Sequence, residues 1–560
     1  MNYSVRSAVC DILIIGGSGA ALIAALEARK SGLDVLLATK GIVGRGGNTI
    51  VSGAGFAAFL PEKNPNDSLE RFRADTLSSG KGINLEYLVD LLLENSKSAI
   101  LGLESYGVKF SKINGEYVRR TPPGHSRPRQ IPTMLDSMGY HTRGLSITLP
   151  LREAAMRAGI RFMEKTPVVK LLHDADGVYG AVGINIDKSE HCEITAKAVI
   201  LATGGAGMVY DRTNNTSDVT GDGYALALEA GARLVDMEFV QFYPTMAYKP
   251  VKIPVSSPLF GDGAVLRNKN LERFMGKYDP AGDMATRDIM SRAIFSEVKA
   301  GSGVDKGVYM DCSGIPHHVF NSRYKVFAEY LQSQKVNRDK DMLIISPSTH
   351  FFMGGIKIDS GCKTGVEGLF AAGEVVGGLH GANRLSGNAL TEAVVFGEIA
   401  GKMAARHAAK IQTTRRPGKG FNPVTGQRVG DLREIKTTLR RTMWQNVSVL
   451  RSQDSLEIAL NQINDCQQEL VACAANNIAQ LLEWTELQRM STVAEAVTRS
   501  ALLRTESRGS HYRQDFPTSD DSNWLGNQEI WQSEKSLCLR FRPHLDTKGT
   551  NPQGKNSARN

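Results

Sequence analysis

The feature that most restricts the fold is an apolar run that ends in a glycine turn: Asp11-Ile-Leu-Ile-Ile15, then Gly16-Gly17-Ser18-Gly19-Ala20-Ala21. The β-branched run reads as a buried strand, residues 22–30 read as a helix closed by Ser31-Gly32, and residues 33–37 read as a second strand. Together they make a βαβ unit whose helix-start amides can hold a pyrophosphate. The fingerprint is incomplete, because Ser18 stands at its second glycine and Ala21 at its third, although alanine there still permits close helix-strand packing. Thr39-Lys40 replaces the acid that normally closes the second strand and contacts a ribose, so that contact is made by something else or the nucleotide is not NAD. Three further clusters favour a flavin dinucleotide, which is long and needs backbone contacts at several turns. They are Thr220-Gly-Asp-Gly223 opening a helix, Ala371-Ala-Gly-Glu374 closing a strand and Gly387-Asn-Ala-Leu390 opening another helix.

Composition excludes several classes. With 41% apolar and 22% charged residues, a wholly disordered or fibrous chain is ruled out. The longest uncharged apolar run, residues 12–26, is shorter than the roughly 20 residues a spanning helix needs. No secretory leader precedes it, so the expected location is cytoplasmic, with membrane association only through a partner protein. None of the seven cysteines forms a CxxC pair, so no metal site is expected and any electron-carrying cluster belongs to another chain. The net charge of +9 is spread along the chain and does not point to nucleic acid.

The pattern divides the chain into a Rossmann-type α/β flavin-binding domain (1–236 and 351–412), an inserted α+β capping domain (237–350), a linker (413–430), a C-terminal helical domain (431–535) and a disordered tail (541–560). The capping stretch reads as short helices and polar loops. In the last domain, Leu432, Ile435, Leu439 and Met443, then Leu456, Leu460 and Ile463, recur at helical spacing.

Taken with Leu201-Ala-Thr-Gly-Gly205, Gln241-Phe-Tyr-Pro-Thr245, Ala285-Thr-Arg-Asp-Ile-Met-Ser-Arg292, His350-Phe-Phe-Met-Gly-Gly355, His380-Gly-Ala-Asn-Arg-Leu385 and Glu506-Ser-Arg-Gly-Ser-His511, these motifs resemble the succinate dehydrogenase and fumarate reductase flavoprotein family, which includes L-aspartate oxidase. The resemblance covers nearly the whole chain. It implies an FAD-dependent oxidoreductase in which hydride passes between flavin N5 and a small carboxylate, with electrons exchanged with an iron-sulfur or other electron-transfer subunit. It implies that Arg287 shuttles a proton, that His350 and Arg384 hold a substrate carboxylate and that Tyr243 lines the site. The implied cofactor contacts are Gly16, Ser18, Gly19, Ala20, Thr39, Lys40, Gly47, Asn48, Thr49, Gly53, Ala202, Thr203, Gly204, Asp222, Glu374, Asn388, Ala389 and Leu390. Two alternatives stay open: an aspartate-oxidase-like enzyme reoxidised by oxygen or another small acceptor, and a flavin-bearing subunit without turnover.

Three departures from the family pattern stand out. Asn48 occupies the position of the histidine that bonds covalently to FAD in respiratory members, so the flavin is expected to be noncovalent. Tyr243 stands where a histidine usually precedes Pro-Thr, and Ser256, Ser257 and Phe260 stand where an acid and an arginine are usual. A pocket stripped of those charges is expected to prefer a substrate with one carboxylate and a less charged far end, unless Lys249, Lys252 or Arg267 restores a cation. The basic stretch Arg119, Arg120, Arg127 and Arg129 around Gly124-His125-Ser126 reads as a solvated loop or partner surface, and residues 506–511 read as structural.

Overall fold

In the computed structural model, which describes residues 5–60, 66–122, 124–134, 142–256, 258–412, 426, 430–534 and 536–544, the opening unit is the strand Ile12–Ile15, the helix Gly19–Arg29 and the strand Val35–Ala38. These strands lie in a five-stranded sheet with the order Leu369–Ala371, Ala198–Leu201, Ile12–Ile15, Val35–Ala38, Arg161–Met163, and every neighbour pair is parallel. All-parallel sheets need apolar residues on both faces, and Ile12 to Ile15 and Val199 to Leu201 are buried throughout. The strand order reverses between Ile12–Ile15 and Ala198–Leu201, so the turns after Ile15 and Leu201 stand side by side at the crevice where open parallel sheets bind ligands. Helix Gly19–Arg29 packs on helix Asn388–Ala408 through small residues; a Cβ at Gly401 would lie 2.4 Å from the carbonyl oxygen of Ala24.

Beside this sheet, Val5–Val9, Glu190–Thr195, Gly177–Asn185 and Val168–Asp174 form a second sheet of four strands. The inserted lobe differs from its reading as short helices and loops. It is built on a five-stranded antiparallel sheet, ordered Ile253–Pro254, Val240–Lys249, Leu343–Phe352, Val308–Asp311, Val265–Arg267. Helix Arg287–Lys299 accompanies this sheet, and Phe260, Leu266, Phe274, Ile294 and Met310 belong to a separate apolar core. The helical reading of the C-terminal part fits Leu432–Asn446, Gln453–Ala472 and Ile478–Leu503. It fails beyond them, where Gly526–Ser533 and Ser536–Pro543 form a hairpin whose first strand pairs with Leu234–Val235. Residues 541–543, read as disordered tail, are therefore strand, while 545–560, like most of the 413–430 linker, lie outside the described residues.

The 506–511 motif is structural, as expected. Arg504 is wholly buried and pairs with Glu238 at 2.6 Å and Glu506 at 2.8 Å, while Arg451 meets His511 Nδ1 at 2.7 Å and donates to the Glu238 carbonyl. Breaking one side of a buried pair costs about 3–5 kcal/mol, so this network holds the helical part firmly to the start of the capping domain, where Glu238 lies. The basic stretch departs from its reading as a solvated surface. Arg129 is fully buried against Asp67 and Asp75, and His125 is buried with Nε2 2.7 Å from the Ser386 carbonyl. Arg120 alone of the four is exposed.

At Gly16 the backbone φ is +136° and a Cβ would meet the Ala202 carbonyl oxygen at 2.2 Å. Gly16→Ala is expected to force the two central strand ends apart, lowering both bound FAD and the thermal midpoint. Gly32→Ala, at φ +76° in open space, should cost only the ~1–2 kcal/mol of a left-handed alanine; FAD content and thermal unfolding of both variants check the contrast.

Candidate functional site

The strand ends of the parallel sheet present donors and orphaned polar groups toward one crevice. Ser18 occupies the N-cap of helix Gly19–Arg29 without capping it, and its Oγ is buried with no partner. An uncapped helix start leaves amide donors unsatisfied, and a phosphate is the ligand such a terminus takes. Thr49 Oγ1 accepts from the Gly19 amide at 3.3 Å, and the Gly47 amide donates to Asp218 at 2.9 Å, which fixes the 44–53 loop against the turn. Thr203 Oγ1, after the Ala198–Leu201 strand, and Asn388 Oδ1, at the start of the long helix behind Gly387, are likewise buried and unpartnered. Orphaned polar atoms spread over several turns fit a long dinucleotide, whose polar groups would satisfy them. Gly16, Ser18, Gly19, Ala20, Gly47, Asn48, Thr49, Ala202, Thr203, Gly204, Glu374, Asn388, Ala389 and Leu390 all belong to these turns and helix starts.

Thr39 packs over Gly17, but Lys40 and Asp222 are committed to each other. Lys40 Nζ lies 2.6 Å from Asp222 and 2.9 Å from Glu486 of the helical domain, and Arg489 Nη1 stands 3.5 Å from Asp222 while donating to the Val168 carbonyl at 2.8 Å. Burial pushes the Asp222 carboxyl up, but Lys40 and Arg489 outweigh it and hold it at about 2. The missing acid at the end of the second strand is thus matched by carboxylates from two other parts of the chain. Glu486 and Arg489 carried no local motif that could have revealed them.

A second group of residues gathers where the capping sheet meets the flavin-binding part. Asn48 Nδ2 donates to Glu374 at 2.9 Å, and Asn48 Oδ1 accepts from the Thr216 amide at 3.3 Å. Burial raises the Glu374 carboxyl to about 7 although Asn48 and the Phe352 amide donate to it. Arg384 stacks over the Phe351 ring at 4.6 Å and donates through Nη2 to Gln241 Oε1 at 2.8 Å; its Nε is buried with no acceptor. Burial draws this guanidinium down to about 10, which leaves it charged at neutral pH. His350 Nδ1 is engaged by the Asn214 carboxamide at 3.1–3.2 Å, and burial followed by the charges of Arg384 and Arg287 lowers the imidazole to about 3. Tyr243 contacts both neighbours, with its ring 5.6 Å from that of His350 and 5.5 Å from the Arg287 guanidinium. Its hydroxyl donates to the Val255 carbonyl at 2.7 Å.

The four residues expected at the centre, Arg287, His350, Arg384 and Tyr243, are therefore brought together. Gln241 and Asn214, which orient two of them, were not expected, though Gln241 opens the Gln-Phe-Tyr-Pro-Thr motif. Phe260 packs in the core of the lobe and Asp262 pairs with Arg323, so neither supplies charge to this group. Ser257 lies outside the described residues. Of the cations expected as substitutes, Lys249 is paired with Asp305 and Arg267 with Asp311.

A parallel sheet with a phosphate-type turn, capped by an antiparallel lobe that brings Arg287 and His350 beside Arg384 of the base, defines a dinucleotide-dependent enzyme. The FAD binding domain model matches residues 11–390, and the fumarate reductase flavoprotein C-terminal model matches 436–555. A fumarate reductase (CoM/CoB) subunit from Methanothermobacter marburgensis is 37% identical over 91% of this chain and 94% of that protein. L-aspartate oxidase of a Nostoc species is 30% identical over 93% of this chain and 94% of that enzyme. Mycobacterium smegmatis Sdh1, solved in complex with UQ1, superposes with a TM-score of 0.85 at 31% identity, covering 97% of this chain and 95% of that one. The chain belongs to the succinate dehydrogenase and fumarate reductase flavoprotein family, and it is an FAD-dependent oxidoreductase of that type. Among the described residues no helix is long and apolar enough to cross a membrane.

Two outcomes follow from this geometry. Asn48, a carboxamide already hydrogen-bonded on both sides, offers no nucleophilic ring nitrogen, so acid precipitation should release all flavin into the supernatant; yellow colour on the washed pellet would contradict this. His350 at about 3 in the folded state lies below its usual value near 6.5, so the unfolded chain takes up its proton first as the pH falls. His350→Gln should therefore flatten the loss of stability between pH 6 and 4 by up to ~1.4 kcal/mol per pH unit, read by denaturant unfolding across that range.

Proposed function

We propose that the chain interconverts the saturated and unsaturated forms of a small carboxylate, with Arg384 binding the carboxylate, His350 positioning it and Arg287 moving the proton. The observation that supports this reading most is the buried Nε of the half-buried Arg384, which has no acceptor among the described residues, beside a neutral imidazole and a second guanidinium. A buried cation without a carboxylate partner is costly, and an anionic substrate supplies the missing charge. FAD, when bound, supplies the two-electron donor or acceptor for the adjacent carbon.

Arg384 presents a planar donor fork that matches a carboxylate, and Gln241 fixes its tilt. His350 remains neutral across the working pH range, so it contributes a hydrogen bond without competing for the proton. With Nδ1 tied to Asn214, Nε2 is the nitrogen left for substrate. Arg287 opens its helix and lies over Tyr243, a neutral ring in place of the family's histidine, so the guanidinium has no cationic neighbour at that position. Rigid presentation of these groups lowers the entropy cost of the reaction, because proton donor and carbon are held in one pose.

With no CxxC spacing among the cysteines to ligate an iron-sulfur cluster, electrons pass to or from another protein. The Methanothermobacter relative supports this, since it is itself one subunit of a larger enzyme. The aspartate-oxidase-like alternative is not favoured by any feature that separates this chain from the reductase branch.

Arg287→Ala is expected to abolish turnover, by at least ~10³-fold in kcat, with FAD content unchanged, because the residue sits in the lobe away from the phosphate turns. Arg384→Ala should raise KM and lower kcat together, since the carboxylate contact exists in both ground and transition states. Steady-state assays of fumarate and succinate with an artificial electron donor or acceptor test both; near-normal kcat in Arg287→Ala would refute its proton role.

A further inference from the structure

A cluster of cations lacking carboxylate partners among the described residues lies outside the group just described. Arg212 follows the Ala198–Leu201 strand and its glycine turn, Lys252 lies in the capping lobe, and Arg440 lies on helix Leu432–Asn446 of the C-terminal part. The Tyr248 ring joins two of them, with the Arg212 guanidinium 4.1 Å and the Lys252 ammonium 5.9 Å from its centroid. Arg440 spends its Nε and Nη2 on the carbonyls of Tyr210 and Asp211, at 3.0–3.2 Å, and Arg212 Nη2 donates to the Asp305 carbonyl at 2.8 Å. Carbonyls satisfy donors but do not neutralise charge. The two carboxylates nearby are already engaged, Asp305 by Lys249 at 2.6 Å and Asp211 by Lys306 at 3.7 Å. Arg212 Nη1 is buried and has no acceptor. Partial burial, then the charges of Arg440 and Arg212, holds the Lys252 ammonium below its usual value, as expected of a cation facing cations.

We propose that Arg212, Lys252 and Arg440 form a binding site for a small multivalent oxyanion, of the phosphate or polycarboxylate class, at the junction of the capping lobe with the flavin-binding and helical parts. Three unmatched cations call for more than one negative charge. The two guanidinium groups offer planar forks, while the lysine supplies a mobile point charge at the open edge. An orphaned Arg212 Nη1 gives the ligand a specific donor to satisfy, which simple counterion screening does not.

The site also has a structural consequence. Tyr248 and Lys252 belong to the lobe, whereas Arg212 and Arg440 belong to the base, so one anion bridges the two. The Tyr248 hydroxyl meets Ser348 Oγ at 2.6 Å, and the Arg212 carbonyl accepts from the Thr349 amide at 2.9 Å. Both residues lie on the strand Leu343–Phe352 that presents His350. Filling the site therefore restrains the lobe at the strand that carries the substrate-positioning imidazole.

Isothermal titration calorimetry of the FAD-loaded protein with inorganic phosphate, at constant ionic strength, tests the proposal. Saturable one-to-one binding is expected, with a dissociation constant near or below about 1 mM. Lys252→Ala and Arg440→Gln should each weaken it at least ~10-fold, and Lys269→Ala, an exposed lysine elsewhere on the lobe, should not. Parallel titrations with citrate separate phosphate-type from polycarboxylate ligands. Repeating both in Arg384→Ala removes the flavin-side clamp, and binding must persist there. Heat that never saturates, binding that survives Lys252→Ala and Arg440→Gln, or binding that disappears only with Arg384 would overturn the proposal.

Discussion

Arg384 is a half-buried guanidinium, its Nε wholly shielded, with no carboxylate paired to it among the described residues, and much of the site is arranged around that cost. Its side-chain acceptor is Gln241, its flat face rests on Phe351, and its Nε has no acceptor among the described residues. The positive charge reaches its neighbours: it helps keep His350 neutral and bears on Glu374, whose carboxyl burial would otherwise push higher. An enzyme that must bind an anion before reacting it gains from such an arrangement, because the binding energy is concentrated where the substrate's charge sits.

Holding a charge in that state requires a stiff surround. The parallel sheet fixes the phosphate-type turns, and the antiparallel sheet of the lobe carries Gln241, Tyr243 and His350 on two adjacent long strands. The lobe is in turn held over the base by pairings that cross the chain. Arg504 joins Glu238, at the start of the lobe, to Glu506, while Arg489 with Asp222 and the Val168 carbonyl, and Lys40 with Glu486, tie the helical part to the flavin-binding part. Buried ion pairs add little net stability when both partners are present, but they make misplacement expensive. They suit a structure in which three separate parts of the chain must meet at one reacting carbon.

How much of this was legible in the sequence depends on how local each signal is. The opening βαβ unit was readable because an apolar β-branched run, a glycine turn and a helix follow one another without interruption. The residues expected at the site were picked out from motifs, and Arg287, His350, Arg384 and Tyr243 lie close together in the fold. The lobe's sheet was hidden, since its longest strands carry Gln241, Tyr243, Ser346, Ser348 and Thr349, polar residues that blur period-two alternation. Val5–Val9 was hidden because it is a largely exposed edge strand. The final hairpin was hidden for a similar reason: its second strand is mostly exposed or half-buried and reads as polar chain. Arg129 was misread as solvated because its partners, Asp67 and Asp75, lie more than fifty residues away. Charge pairing of that kind is set by topology and leaves no mark in a local window.

The account stands on Arg384 as the residue that requires an anion. A spectral titration of the oxidised, FAD-loaded protein with fumarate tests it most directly, because a carboxylate seated beside the flavin perturbs its visible absorbance without turnover. The wild-type protein should show a saturable perturbation, and Arg384→Ala, at equal FAD content, should bind at least ~100-fold more weakly, the loss of a buried charge-assisted contact. Equal affinity in the two proteins would contradict the central claim.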